Sequence, residues 1–194
     1  MPKLGMEPIR RASLVDAAIA EIGQARTLDV TVGQIARRAG VSPALAHHYF
    51  GAKEQLFLAA MRHILRSFGE GARASLATAE TPRARLEAIA RASFRPEQFH
   101  PEVVAAWLNF YVLAQTSGDA QRLLRLYHRR MRSNLAHALR PLVGARAPSV
   151  ADAVASLIDG IYIGQALNED LVSAESAVAP VLRHLDLEIV AGAA

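Results

Sequence analysis

Residues 31–53 read TVGQIARRAGVSPALAHHYFGAK, two short helical segments around a tight turn. Thr31 followed three residues later by Gln34 is a capping box, in which the hydroxyl satisfies one orphan amide of the first turn and the amide side chain reaches back. Val32, Ile35, Ala36 and Ala39 then fall at i, i+3, i+4 and i+7 as one apolar face, until Gly40 supplies the left-handed stop that other residues resist. Val41 plugs the space between the two helices. Ser42 caps the second helix, and Pro43 suits its first position, where no amide hydrogen is needed and the fixed φ is already helical. That helix should run to about Phe50. Two helices of this length around a Gly-containing turn match the helix-turn-helix, whose second helix enters the DNA major groove.

Outward from this unit the chain reads as helix, because alternating β-branched runs and Asn-Gly turns are missing. A first helix is expected over residues 8–22, with Ala12, Val15, Ile19 and Ile22 on one face and Gly23 ending it. A helix over 54–79 carries Leu56, Ala60, Ile64 and Phe68, and Thr81-Pro82 restarts the chain into one ending near Ser93. After a loop over 95–101, helices follow over 102–116, 118–143 and 149–168, the last capped by Ser149 with Asp152 at its third position. A final helix covers 173–190. No internal repeat or low-complexity linker appears. The expected fold is all-α, a three-helix domain over residues 1–53 carrying the helix-turn-helix and a larger helical domain over 54–194.

Charge and composition narrow the function classes. A formal charge of +4 and a pI near 9.9 favour a polyanionic partner, although an Arg-rich, Lys-poor chain shows this balance from composition alone. Its placement says more: residues 1–53 carry seven Lys or Arg against four acids, and the rest of the chain fifteen against fourteen. Zero cysteines exclude disulfides, cysteine-ligated zinc and thiol catalysis. With no secretory signal, that points to the cytoplasm. The longest apolar stretch, residues 153–167, is interrupted by Asp159, so no segment is expected to span a membrane. No nucleophile elbow, phosphate loop, metal-spaced His/carboxylate cluster or paired carboxylates can be read, so neither catalysis nor a cofactor is expected. His47 and His48 cannot share an ion, because neighbours on a helix point about 100° apart.

A leading helix, the run Ile35-Ala36-x-x-Ala39-Gly40-Val41-Ser42, an aromatic pair closing the second helix, and Lys53 three residues after Phe50 together resemble the TetR family of one-component transcriptional regulators. Within that family the opening MPKLGM, Ile9-Arg10-Arg11, QIARRAGVS from Gln34, HYF from His48, Ala-Trp-Leu at 106–108 and LIDG at 157–160 are similar to the choline-responsive repressors of glycine betaine synthesis. The resemblance implies a homodimer that binds double-stranded operator DNA through residues 1–53, with effector binding and dimerisation in 54–194. It also implies a small-molecule effector, choline or betaine aldehyde, that releases the operator. LIDG occurs across regulators of differing ligands, so an effector from another pathway, efflux or catabolism, stays open.

Carried over position by position, the resemblance places Pro43, Ala44, His47 and His48 on the groove-facing turns of the recognition helix, with Ser42 at its N-terminus. Tyr49 matches a phosphate-binding hydroxyl, Lys53 a phosphate-binding amine and Thr31 a phosphate contact at the second helix. A helix N-terminus offers free amides and a positive dipole end to a phosphate, and lysine adds a full charge. Arg37 and Arg38 stand either on a solvated face or at phosphates. The chain departs from the common family pattern at Ala46 and His47, where many members have Leu and Tyr.

The larger domain holds Trp107, Phe110, Tyr111, Tyr127 and Tyr162, with Asp159 in an otherwise apolar helix. A quaternary ammonium ligand is held by aromatic faces, because it attracts the ring quadrupole and cannot donate hydrogen bonds. Trp107 and Tyr111 share a helix face, and Asp159 would serve as counter-charge. Core packing uses the same spacing, and a buried carboxylate needs a partner in any case. Arg122, Arg125, Arg129, Arg130 and Arg132 read as the solvated side of one helix. For the dimer, Val154, Leu157, Ile158 and Ile161 are expected to pair with Val178, Val181, Leu182 and Leu185 across a twofold axis, with Gly160 and Gly164 allowing close approach. The competing class is an all-α small-molecule carrier or enzyme in which the helix-turn-helix is incidental.

Overall fold

The computed structural model describes residues 5–168 and 173–193; the first four residues of the MPKLGM stretch lie outside them. Among the described residues there are nine α-helices and no strand. In order they are α1 (Met6–Ala25), α2 (Val32–Arg38), α3 (Pro43–Phe50), α4 (Lys53–Ala77), α5 (Pro82–Ser93), α6 (Pro101–Leu113), α7 (Gly118–Val143), α8 (Ala147–Leu167) and α9 (Ala174–Ala193). A 3-10 turn, Gly144–Arg146, joins α7 to α8.

The local signals in residues 31–53 act as their chemistry requires. The Thr31 hydroxyl accepts the Gln34 amide, and the Gln34 side chain accepts the Thr31 amide. Gly40 sits at φ +67°, where a side chain would be strained. The Ser42 hydroxyl accepts the Leu45 amide and starts α3. Ile35, Ala36 and Ala46 are buried; α2 packs on α1, and α3 packs on α2 and α4. The same core continues through Leu56, Met61, Leu86, Phe110, Leu135, Leu139 and Val154 to Val181 and Leu185 of α9.

Four expectations need correction. α1 does not end at Gly23 but continues to Ala25, with Arg26 in the left-handed region, and its buried face is Leu14, Val15, Ala18 and Ile22, while Ala12 is exposed. Gly23 is instead where α6 crosses: a Cβ there would lie 2.4 Å from the Cβ and 2.5 Å from the Cα of Glu102. Second, α8 begins at Ala147, and Ser149 lies inside it, its hydroxyl donating to the Arg146 carbonyl rather than capping. Third, Asp159 does not disqualify the apolar run, since Gly118–Leu167 contains a stretch long and apolar enough to cross a membrane by length and composition. In the fold α8 is a core helix, burying Val150, Ala151, Val154, Ala155, Ile158 and Tyr162.

The fourth concerns the surface expected to pair copies of the chain. Val154, Ile158, Val178, Val181 and Leu185 are buried within the chain itself, and Leu157, Ile161 and Leu182 pack partly against that core. The periodicity was that of intrachain packing. The apolar side chains left outward on these helices are Ile163 and Leu167 of α8 and Leu187 and Val190 of α9, the last three 64–70% exposed. Among the described residues, and apart from the neighbouring backbone of α8 itself, nothing lies closer than 4.0 Å to a Cβ built at Gly160 or Gly164.

Candidate nucleic-acid interface and effector site

Pro43, Ala44, His47 and His48 are all exposed and form one outward stripe on α3, at i, i+1, i+4 and i+5. Ser42 and Thr31 sit exposed at the N-termini of α3 and α2. His47 Nδ1 lies 2.9 Å from the Gly51 carbonyl. A carbonyl only accepts, so Nδ1 carries the proton and Nε2 is left for an outside partner. Ala46, by contrast, is 1% exposed; its departure from the common Leu changes how α3 seats on the core, not what α3 presents.

Lys53 is the first residue of α4, where a positive charge opposes the helix dipole. Its exposed amine donates to the Leu28 carbonyl at 3.0 Å, so it is held beside the α1–α2 loop and the start of α4. Helix stability does not explain a lysine here. The two arginines of α2 separate clearly. Arg38 is bound to Glu21 and Gln24 of α1, whereas Arg37 is exposed and has no partner among the described residues. Tyr49 is half-buried, and its neighbour Arg11, legible only as part of the Ile9-Arg10-Arg11 run, was given no site role from sequence. The Arg11 guanidinium donates to the Tyr49 carbonyl at 2.8 Å and lies 5.0 Å from the Tyr49 ring and 5.3 Å from the Phe50 ring. It fixes the end of the recognition helix to α1. Arg11 also pairs with Glu7 at i, i+4 and 2.8 Å, a spacing legible in the sequence.

In the larger domain the structure brings residues from α6, α7 and α8 into one aromatic cluster. The Trp107 ring lies 4.8 Å from Tyr127, 5.8 Å from Tyr111 and 6.1 Å from Tyr162. The Tyr111 hydroxyl donates to Asp159 Oδ1 at 2.9 Å, and His128 Nε2 stands 3.0 Å from Oδ2. Tyr162 donates to the Gln98 carbonyl at 3.2 Å and to that of Ser93, so its ring is held while its hydroxyl is spent. Burial pushes the phenols of Tyr111, Tyr127 and Tyr162 well above the usual tyrosine range, and the negative charge of Asp159 pushes them further. Phe110 stands behind the cluster, fully buried between Trp107 and Phe57.

Several members had no sequence signal. His128 is the acid's second partner, and Phe94 and Phe99 pack on Tyr162 at 5.7 and 5.4 Å. Phe99 lies in the 95–101 loop, where no periodicity marks it. The arrangement offers electron-rich ring faces beside one carboxylate, the chemistry that holds a cation without hydrogen-bond donors. Trp107 and Tyr127 are in contact, so a cation between them must part α6 from α7.

Both helices reach the DNA-binding end of the molecule. The first turn of α6, at Glu102, abuts Gly23 of α1. Ser117, the cap of α7, donates its hydroxyl to Glu54 in the first turn of α4 at 2.6 Å.

Comparison with known proteins gives two family matches. Residues 14–60 match "Bacterial regulatory proteins, tetR family", and residues 82–190 match "BetI-type transcriptional repressor, C-terminal". The chain is 53% identical over 190 residues to the HTH-type transcriptional regulator BetI of Brucella anthropi, covering 97% of this chain and 98% of that one. It is 54% identical over 180 residues to BetI of Rhizobium meliloti, covering 92% and 89%. Among solved structures, a putative transcriptional regulator from Saccharomonospora viridis in complex with choline superposes with a TM-score of 0.81 at 20% identity, over 93% of this chain and 97% of that one. At that identity it shows the fold alone.

Proposed function

Because the chain belongs to the TetR family of bacterial regulatory proteins and carries a BetI-type C-terminal domain, it is a DNA-binding transcriptional regulator and not an enzyme, and we propose that it represses glycine betaine synthesis until choline or betaine aldehyde releases it from its operator. One observation carries the effector reading: Trp107, Tyr111, Tyr127 and Tyr162 converge around Asp159. The choline bound to the Saccharomonospora viridis protein is in keeping with it. So is the name BetI of the relatives.

The division of labour follows the chain. Residues 1–53 dock on operator DNA in the cytoplasm through Thr31, Arg37, Ser42, Pro43, Ala44, His47, His48, Tyr49 and Lys53. Arg38, bound to Glu21 and Gln24, braces α2 against α1 instead. Residues 54–194 bind the effector and pair two copies through the outward side chains Ile163, Leu167, Leu187 and Val190, with Gly160 and Gly164 letting the partner helix approach. Half-sites on a palindrome lie about 34 Å apart or a multiple of that, so the separation of the two recognition helices decides binding.

A cation between Trp107 and Tyr127 separates α6 from α7. α6 transmits this through Glu102 to Gly23 of α1, and α7 through Ser117 to Glu54 of α4. The effector shifts the equilibrium only by its differential affinity for the two spacings. Titrating choline into a complex of the protein with operator DNA, followed by gel shift, tests the reading. Release by choline chloride and not by sodium chloride of equal ionic strength supports it; an operator complex indifferent to millimolar choline and betaine aldehyde overturns it.

A further inference from the structure

Between α4 and α7, with α1 at one end, lies a groove of about 1020 Å³, at the top of the roughly 300–1,000 Å³ usual for small-molecule sites. Its floor is apolar, with Leu65, Phe68 and Ala72 of α4 facing Leu123, Tyr127 and Met131 of α7. Its rim is cationic. Arg62, Arg66 and Arg73 stand on α4 at i, i+4 and i+11, one face of the helix, and Arg130 stands on α7. All four are exposed, and none has a hydrogen bond or ion pair with any described residue.

Of the described residues, some arginines elsewhere are paired with acids, Arg83 with Asp186, Arg91 with Glu175, Arg132 with Asp152 and Arg146 with Glu188, while others such as Arg37 are not. Among the described residues lining the groove there is no Asp or Glu. The groove therefore concentrates unpaired positive charge over an apolar bed. Duplex DNA would use the arginines and leave the bed uncovered. A tailed anion uses both.

We propose that the α4–α7 groove binds an amphipathic anion, its carboxylate held by the rim arginines and its aliphatic tail laid on the floor. Arginine suits such a head, because its planar fork matches a carboxylate with two parallel hydrogen bonds. The site is separate from the aromatic cluster but shares one wall with it. The Tyr127 ring meets Phe68 of the groove floor at 6.1 Å and Trp107 of the cluster at 4.8 Å. Trp107 is the chain's single tryptophan, so occupancy of the groove should be visible in its fluorescence.

The test is titration of the full-length protein with dodecanoate, well below micelle formation, followed by calorimetry and Trp107 fluorescence. Saturable binding of one dodecanoate per chain is expected, at least about tenfold tighter than that of the uncharged dodecanol. Replacing Arg66→Gln together with Arg130→Gln should weaken it at least about tenfold, while Arg125→Gln, an exposed arginine outside the groove, should not. Should the double variant fail to fold, Arg66→Gln alone carries the same comparison. Absence of saturable dodecanoate binding overturns the proposal, as does equal binding of dodecanol. So does an unchanged affinity in the folded arginine variants, including the case in which they lose operator affinity instead and the arginines prove to be phosphate contacts.

Discussion

Replacing Gly23 with alanine pits two effects of opposite sign against each other. In a helix interior Gly→Ala gains about 0.8–1 kcal/mol, because glycine loses more backbone entropy on folding. The new Cβ, however, would lie 2.4 Å from the Glu102 Cβ and 2.5 Å from its Cα, and backbone cannot swing aside as a side-chain tip can. Overpacking of this kind costs about 1–3 kcal/mol, and contact with a Cα places it at the upper end. The net expectation is a loss of about 2 kcal/mol, roughly 4–8 °C in Tm for a chain of this size. Gly69→Ala is the control. Gly69 is also inside a helix, but among the described residues nothing apart from the neighbouring backbone of α4 itself lies within 4 Å of its built Cβ, so only the gain remains and stability should rise by up to about 1 kcal/mol. Urea unfolding of both variants gives the comparison. If Gly23→Ala proves as stable as Gly69→Ala, the close crossing of α1 and α6 is wrong, and so is the transmission path drawn through it.

Three other outcomes follow from the geometry. Lys53→Ala removes the proposed phosphate contact without touching the core, so specific and non-specific DNA affinity should fall together and the salt slope should drop by about 1; an unchanged slope in a folded variant refutes the docking. Leu187→Arg places a charge on a side chain 64% exposed in the single chain; light scattering should show a folded monomer with weakened operator binding, and a monomer binding a palindrome as well as wild type would contradict the pairing surface. Tyr111, Tyr127 and Tyr162 keep their protons in the folded state above the ordinary range, whereas in the unfolded chain they ionise near pH 10. The folded state then binds more protons above about pH 10, so their contribution to stability is intact below that pH and is lost as pH rises beyond it. Phenolate absorbance should report these three only on unfolding; early, reversible titration of all four tyrosines would refute their burial.

Signals that act within one or two turns were legible in the sequence. The capping box at Thr31, the stop at Gly40 and the cap at Ser42 specify the helix-turn-helix because each is satisfied by atoms three or four residues away. Gly23 reads as a stop by the same local logic and is not one, because its cause is a helix that begins at Pro101. The apolar faces of α8 and α9 carry a helical period but no statement of what covers them, and the chain covers most of them itself. Trp107 and Tyr111 were legible as a pair and Asp159 as an anomaly in an apolar helix. That α6, α7 and α8 converge on that acid, and that His128 is its second partner, is set by packing across the fold. Arg38 illustrates the same limit at the DNA-binding end: beside Arg37 it looks equivalent, yet its partner Glu21 lies in another helix.

If a cationic effector and operator DNA compete through one conformational equilibrium, linkage makes the competition measurable from the effector's side. Calorimetric titration of choline into the free protein and into its operator complex gives two dissociation constants. Saturable binding to the free protein is expected, lost in Asp159→Asn, with binding to the complex weaker by about 5–150-fold, a coupling of about 1–3 kcal/mol. Equal affinity in the two states, or no binding to the free protein at millimolar choline, would contradict it.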